Sequence, residues 1–123
     1  MVSREPLIAV VDDDESFRVA LVEALFSLGY GARGFGSAEE FFAGDGTEPY
    51  DCVITDIHMP GMSGFDLRRR LSAQDPGLPV IMTTADAEPE LEARAAAIGA
   101  VCLLRKPFEA DAITDCLERA LKV

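Results

Sequence analysis

The sequence predicts one α/β domain in which five strands alternate with five helices, and the strands pair as an open, doubly wound parallel sheet. Short apolar runs alternate with segments of helical periodicity along the whole chain, a pattern typical of the βαβ crossovers that join parallel strands. The length of 123 residues fits a single domain over 1–123 and is too short for a closed eight-stranded barrel. Hydrophobic residues make up 49% of the chain, which is enough for a core.

The first strand and the first helix have the clearest patterns. The run Leu7–Val11 is apolar throughout, as expected for a strand that is covered on both faces. After it, apolar residues recur at helical spacing up to Gly29, which ends the predicted helix. The apolar stripe of this helix consists of Phe17, Ala20, Leu21, Ala24, Leu25 and Leu28.

The remaining elements are shorter. Residues 30–35 predict a second strand, which two glycines weaken. The capping-box pattern Ser37–Glu40 then opens a short helix, and a loop at Gly44–Pro49 leads to the third strand, Cys52–Thr55, which ends at Asp56. The second half predicts, in order, a helix over 64–73, a strand over Pro79–Thr83, a helix over Pro89–Ile98, a strand over Val101–Leu104 and a final helix whose stripe runs from Ile113 to Leu121.

The chain is strongly acidic, with 22 Asp and Glu residues against 11 Lys and Arg residues and a net charge of −11. This balance argues against direct nucleic-acid binding, which needs a basic face to neutralise phosphates. The acidic excess lies mainly in residues 1–61, which hold 12 of the acids and 3 of the bases. No secretory signal and no apolar run of membrane-spanning length occur, so we expect a soluble cytoplasmic protein without membrane contact.

The three cysteines, Cys52, Cys102 and Cys116, are odd in number and show no CxxC spacing. Each of them lies in an apolar stretch. We therefore expect these side chains to pack in the core and to form neither a disulfide nor a zinc site.

Polar side chains stand at the carboxyl ends of four predicted strands, where open parallel sheets bind their ligands. They are Asp12–Asp14, Asp56, Thr83–Thr84 and Arg105–Pro107. Carboxylates that are brought together repel one another unless a cation intervenes, and oxygen ligands suit Mg²⁺. With a lysine ammonium and a threonine hydroxyl added, the set suits a phosphoryl group carried on a carboxylate.

Each of these residues also has a simpler role when it is taken alone. Asp13 or Asp14 could cap the first helix, Asp56 could cap a loop, and Lys106 could be an ordinary surface charge. Their joint placement at the strand ends favours a shared site. No GxGxxG, GxxxxGK[ST] or GxSxG motif occurs, which argues against a nucleotide-binding loop and against serine-hydrolase chemistry.

Four motifs make the chain resemble the receiver domains of bacterial two-component response regulators over about Leu7 to Leu121. They are Val10–Asp14, Thr55–Gly64 with the pattern DxxMPxMxG, Met82–Ala85 and Lys106–Phe108. The resemblance implies a CheY-like, flavodoxin-like fold with strand order 2-1-3-4-5. It also implies a phosphorylation-dependent signalling switch that promotes only its own phosphorylation and dephosphorylation, not an enzyme with an external substrate.

The resemblance implies a role for each residue that faces the phosphoryl group. Asp56 would accept the group from a sensor histidine kinase or a histidine phosphotransfer protein, Lys106 would contact its oxygens, and Thr84 would be the switch hydroxyl that moves toward it. Ala85 matches the small residue that leaves room for the phosphohistidine of the donor. The Lys106–Pro107 peptide is one that tends to be cis in the family.

The resemblance also implies a site for Mg²⁺ (or Mn²⁺). Asp13 and Asp56 would bind the ion directly, and Asp12 would act mainly through water. The main-chain carbonyl of His58 would be the remaining metal ligand that the protein supplies. His58 and Asp86 stand at variable positions that flank the mouth of the site and tune the lifetime of the aspartyl phosphate.

One position departs from the family pattern. Leu103 stands where receivers often have a Tyr or Phe that turns inward on activation, so we expect backbone shifts in the fourth helix and the fifth strand to carry the switch. The face formed by these elements and the fifth helix would then dimerise or control an output domain or a downstream protein.

Other classes of function stay open at this point. A Mg²⁺-dependent aspartyl-phosphate phosphatase or phosphotransferase usually has a second aspartate two residues after its nucleophile, where His58 stands here, and it needs a substrate-selecting cap. A pseudo-receiver would lack Asp56, Lys106 or the acidic pair, and a flavodoxin-like cofactor binder conflicts with the acidic first loop. The sequence fits both a stand-alone receiver and the N-terminal part of a longer regulator.

Overall fold

Five strands and five helices alternate in the computed structural model, which describes residues 5–44 and 49–121. The strands are β1 (Leu7–Val11), β2 (Gly31–Phe35), β3 (Cys52–Asp56), β4 (Val80–Thr84) and β5 (Cys102–Arg105). The helices are α1 (Glu15–Ser27), α2 (Ala38–Phe42), α3 (Gly64–Gln74), α4 (Glu90–Ala97) and α5 (Ala110–Leu121). The predicted loop Gly44–Pro49 lies largely outside the described residues, as do the two chain ends at 1–4 and 122–123.

The strands form one parallel sheet in the order β2-β1-β3-β4-β5, which confirms the predicted fold class and strand order. The register pairs Val11 with Thr55 and Asp56 with Thr83. Since all five strands run in the same direction, their carboxyl ends meet along one edge of the sheet. This edge brings together the polar residues that end β1, β3, β4 and β5.

Helices cover both faces of the sheet and bury two hydrophobic clusters. On one face, Leu25 of α1 and Leu117 of α5 are fully buried against the strands. On the other face, Leu67 of α3 and Leu91 of α4 take the same role. Coverage on both faces explains why β1 is apolar throughout and why β3 and β4 are buried along their whole length. Within the described residues, no helix has the length and the apolar character that a bilayer span requires.

Side-chain caps fix the starts of three helices. Asp14 accepts a hydrogen bond at the start of α1 and Ser37 does so at the start of α2, whereas Ser63 and Asp66 form a reciprocal capping box at α3. The cap of α1 is therefore Asp14, and Asp13 remains available for another role. Helix α4 differs, because it begins after Pro89, which makes no side-chain cap hydrogen bond.

The cysteines correct one sequence-based expectation. Cys102 of β5 and Cys116 of α5 form a disulfide with Cα atoms 6.0 Å apart, so the prediction that no disulfide forms is wrong. All three cysteines are nevertheless buried in the core, as expected, and Cys52 of β3 is free. The sequence could not reveal the pair, because the two cysteines are separated by 14 positions and meet only through the packing of α5 on β5.

Gly64 allows α3 to begin directly against the end of β3. A Cβ atom at this position would overlap the carbonyl oxygen of Asp56 and lie 2.9 Å from Cα of Ile57. The amide of Gly64 donates a hydrogen bond to the carbonyl of Ile57 at 2.9 Å. The close approach therefore requires glycine, and it fixes the backbone on which the Asp56 carboxylate is carried.

Candidate functional site

Three carboxylates meet where β1 and β3 end. Oxygen atoms of Asp12, Asp13 and Asp56 all lie within 4.8 Å of one another. Asp12 and Asp56 are buried, whereas Asp13 is exposed at the mouth of the cluster. The sheet topology thus brings together residues from two chain segments that are more than 40 positions apart. We call these three residues the carboxylate cluster.

Lys106 reaches this cluster from the end of β5. Its Nζ atom lies 2.8 Å from Oδ2 of Asp12 and 3.8 Å from Oδ2 of Asp56. The ammonium also stacks 4.1 Å from the ring centroid of Phe17 on α1, a cation–π geometry that holds it over the cluster. The peptide between Lys106 and Pro107 is cis, as the resemblance implies.

The electrostatics of the cluster favour an additional positive charge. Burial, together with repulsion from the Asp12 carboxylate, raises the pKa of Asp56 to about 6, although Lys106 acts in the opposite direction. Near neutral pH the site therefore holds ionised carboxylates at an energetic cost. Three carboxylate oxygens this close together are a hard-oxygen donor set, which fits Mg²⁺ or Mn²⁺.

Thr84 ends β4 at the same edge and is fully buried. Its Oγ1 atom accepts a hydrogen bond of 3.0 Å from the amide of Asp86, and its carbonyl accepts one of 2.8 Å from the amide of Lys106. The preceding residue, Thr83, pairs in register with Asp56. Among the described residues, the buried hydroxyl of Thr83 has no protein hydrogen-bond partner.

His58 and Asp86 flank the mouth of the site. Nε2 of His58 lies 3.7 Å from Oδ2 of Asp86, and both side chains are partly exposed. Oδ1 of Asp86 accepts a hydrogen bond from the amide of Glu88, which folds the loop after β4 back on itself. The main-chain carbonyl of His58 as a metal ligand stays a prediction.

The structure adds a supporting residue that the sequence analysis missed. Nη1 of Arg18 donates a 2.7 Å hydrogen bond to the carbonyl of Asp12. The side chain of Arg18 crosses β2 at Gly34, where a Cβ atom would lie 3.1 Å from its aliphatic carbons. Gly34, a residue that weakens the strand pattern, is the one sequence signal that could have pointed to this crossing. Phe17 was identified only as part of the apolar stripe of the first helix.

Comparisons with known proteins agree with this architecture. A family model described as the response regulator receiver domain matches residues 8–118. The transcriptional regulatory protein FixJ of Bradyrhizobium diazoefficiens is 36% identical over 115 residues, which cover 94% of this chain and 56% of FixJ. The DNA-binding transcriptional regulator NtrC of Salmonella typhimurium is also 36% identical over 115 residues, which cover 94% of this chain and 24% of NtrC.

Solved structures show the same relationship. The crystal structure of FixJ-N matches with a TM-score of 0.88 and 32% identity over 98% of this chain and 96% of that one. The response regulator StyR matches with a TM-score of 0.86 and 37% identity over 97% of this chain and 60% of that one. The chain therefore spans about half the length of FixJ and about a quarter of NtrC.

Proposed function

The chain belongs to the receiver domain family of two-component response regulators, and from this membership we propose that it is a phosphorylation switch in which Asp56 accepts a phosphoryl group. The observation that carries the proposal is the carboxylate cluster with the Lys106 ammonium 3.8 Å from Asp56. A nucleophilic carboxylate, two further acids and one cation are the groups that phosphoryl transfer to an aspartate requires.

In the transfer step, an Oδ atom of Asp56 attacks the phosphorus of a phosphohistidine on a sensor kinase or a histidine phosphotransfer protein. The P–N bond breaks as the P–O bond forms, and the imidazole leaves. The attack needs an ionised carboxylate, and a pKa of about 6 leaves Asp56 mostly ionised near neutral pH. Ala85, next to Thr84, leaves space for the incoming imidazole.

The carboxylates of Asp12, Asp13 and Asp56 and the main-chain carbonyl of His58 would hold Mg²⁺ (or Mn²⁺). When bound, the ion would neutralise negative charge on the phosphoryl oxygens. Lys106 needs only a small reorientation from Asp12 to contact the same oxygens, because it already lies between the two carboxylates. The aromatic ring of Phe17 lies 4.1 Å from this ammonium in its present position.

The signal would leave the site through Thr84. If its hydroxyl turns to donate to a phosphoryl oxygen, the amide of Asp86 loses its acceptor, and the segment that leads into α4 is free to move. Leu103 replaces the usual aromatic residue, so the response would run through the backbone of β5 and α4. The face formed by α4, β5 and α5 would then dimerise or bind its partner.

We further propose that residues 1–123 act as a single receiver domain that controls an output domain or a separate protein. FixJ and NtrC are named as transcriptional regulators and are both longer than this chain. Control of transcription through an attached output domain is therefore the downstream function that we favour, with contact to DNA outside this acidic domain.

The experiment is intact-mass measurement after incubation with Mg²⁺ and acetyl phosphate, a small phosphodonor. We expect the wild-type chain to gain one phosphoryl group and Asp56→Asn to gain none. Asp14→Asn is the matched control, because it removes a neighbouring acid that caps α1 and lies outside the cluster. The absence of an adduct on the wild-type chain, or an adduct on Asp56→Asn, would refute the proposal.

A further inference from the structure

Arg105 connects the end of β5 to the start of α4. Its Nη2 atom donates a 3.0 Å hydrogen bond to the carbonyl of Glu88, and its Nη1 atom lies 3.5 Å from a carboxylate oxygen of Glu92. In the sheet register, Arg105 stands opposite Thr84 and directly precedes Lys106. One guanidinium therefore links the strand that carries Lys106 to the segment that follows Thr84.

That segment, 85–89, is also held at its other end. The amide of Asp86 donates to Oγ1 of Thr84, and the amide of Glu88 donates to Oδ1 of Asp86, both at 3.0 Å. A continuous series of hydrogen bonds thus runs from the Thr84 hydroxyl, through Asp86 and Glu88, to the Arg105 guanidinium.

The start of α4 has no side-chain cap, whereas α1, α2 and α3 each have one, so the hydrogen bonds of segment 85–89 matter more for α4. Pro89 supplies no side-chain cap, and the helix is only 8 residues long, too short to be stable by itself. The carbonyl of Glu88 also accepts a 3.3 Å hydrogen bond from the amide of Leu91, so Arg105 binds the same atom on which the first helical turn closes.

We propose that Arg105 is a positioning residue that clamps segment 85–89 in the arrangement in which the Thr84 hydroxyl is bound by Asp86, and thereby opposes the switch. This inference rests on the proposed function, because it concerns the regulation of the same site. When Thr84 turns toward a phosphoryl group, the segment shifts and the carbonyl of Glu88 leaves the guanidinium. The cost of breaking this hydrogen bond makes phosphorylation of Asp56 less favourable. By linkage, phosphorylation of Asp56 weakens the hydrogen bond between Arg105 and Glu88 to the same extent.

The hydrogen bond to the Glu88 carbonyl, and not the ion pair with Glu92, carries the clamp. Glu92 is largely exposed, and an exposed ion pair contributes little. A charged donor on a backbone carbonyl has a defined direction and contributes more than a neutral hydrogen bond. Replacing Glu92 should therefore matter less than replacing Arg105.

The test is a calorimetric titration with beryllofluoride in the presence of Mg²⁺, since beryllofluoride mimics a phosphoryl group bound to a carboxylate. We expect Arg105→Gln to bind about three- to tenfold more tightly than the wild-type chain, the effect of losing one solvent-exposed hydrogen bond. Glu92→Gln should change the affinity by less than about twofold. Arg69→Gln is the matched control, because it removes an exposed arginine of α3 that pairs with Asp66.

The outcomes separate this inference from the proposed function. If the wild-type chain binds no beryllofluoride, the proposed function fails and the clamp fails with it. If the wild-type chain binds and Arg105→Gln binds equally or more weakly, only the clamp is overturned. A lower urea midpoint with unchanged affinity would show a purely structural role and would also overturn it. Arg105→Lys, which keeps the charge but loses the forked geometry, should bind with intermediate affinity.

Discussion

The Nζ atom of Lys106 donates a 2.8 Å hydrogen bond to Oδ2 of Asp12. Asp12 is one of the three carboxylates that would hold a divalent ion, so the ammonium and the ion compete for the same buried charge. A bound cation therefore repels the Lys106 ammonium, whereas a phosphoryl group attracts it.

Lys106→Met should strengthen Mg²⁺ binding and weaken phosphorylation. Removal of one positive charge within 4 Å of two carboxylates should raise the Mg²⁺ affinity about three- to tenfold. Labelling by acetyl phosphate should slow, because the contact with the phosphoryl oxygens is lost. Calorimetric titration with Mg²⁺ and intact-mass kinetics measure the two effects, with Arg69→Met as the control. Weaker Mg²⁺ binding in Lys106→Met would contradict the competition.

Asp56→Asn should stabilise the metal-free chain at neutral pH. The pKa of Asp56 is raised from 3.8 to about 6 in the folded state. Between these values the native carboxyl keeps a proton that the unfolded chain has lost, so the free energy of unfolding falls as the pH rises through this window. The asparagine avoids that loss, which is on the order of 2–3 kcal/mol at pH 7.5 and absent below about pH 4.

Urea unfolding in EDTA at a series of pH values measures this difference. Asp66→Asn provides a control of opposite sign, since hydrogen bonds from Ser63 lower the pKa of Asp66 and its ionised form stabilises the fold. A pH-independent difference between Asp56→Asn and the wild-type chain would show that the raised pKa of Asp56, which burial and the Asp12 carboxylate cause, is not its source.

Gly64→Ala should damage both the fold and the site. The added Cβ atom would overlap the carbonyl of Asp56, so the backbone at the end of β3 must move. We expect a loss of about 2 kcal/mol or more in the free energy of unfolding, and weaker Mg²⁺ binding. Gly77→Ala, where a Cβ atom would meet nothing within 4 Å, should change stability by less than about 0.5 kcal/mol. Equal effects of the two substitutions would exclude the overlap as the cause.

Thr83→Val should stabilise the chain. The buried hydroxyl of Thr83 has no protein partner among the described residues, and a methyl group of similar size removes its desolvation cost, about 1 kcal/mol. Thr55→Val should have the opposite sign, because the Thr55 hydroxyl donates a 3.0 Å hydrogen bond to the carbonyl of Asp56. Urea unfolding of the pair checks both signs, and a destabilised Thr83→Val would count against the prediction.

The residues at the strand ends were predicted to lie together because the carboxyl ends of parallel strands meet at one edge of the sheet, independently of the conformation of the loops. The placement of Asp12, Asp56, Thr84 and Lys106 at that edge follows from this rule. Whether Asp13 or Asp14 caps α1 depends on whether the helix begins one residue earlier or later, and the sequence alone left this open.

Contacts between side chains of different elements were beyond the sequence. The hydrogen bond from Arg105 to Glu88 depends on the path of a loop and on one rotamer, neither of which leaves a periodic signal. The same is true of Lys106 over Phe17, and of the cysteine pair, which requires the exact rotation of α5 on β5. Local pattern therefore predicts which residues reach the edge of the sheet, and packing determines how they are held there.

The glycines of β2 have a consequence for how the molecule behaves in a crowded solution. This strand forms one border of the sheet, and Gly31 and Gly34 make up two of its five residues, beside the exposed Arg33. A flat, β-branched border would be a template on which a second molecule could add a strand and begin to aggregate. Glycine and arginine make a poor template. The composition that weakens the strand signal in the sequence thus protects the chain from self-association at this border.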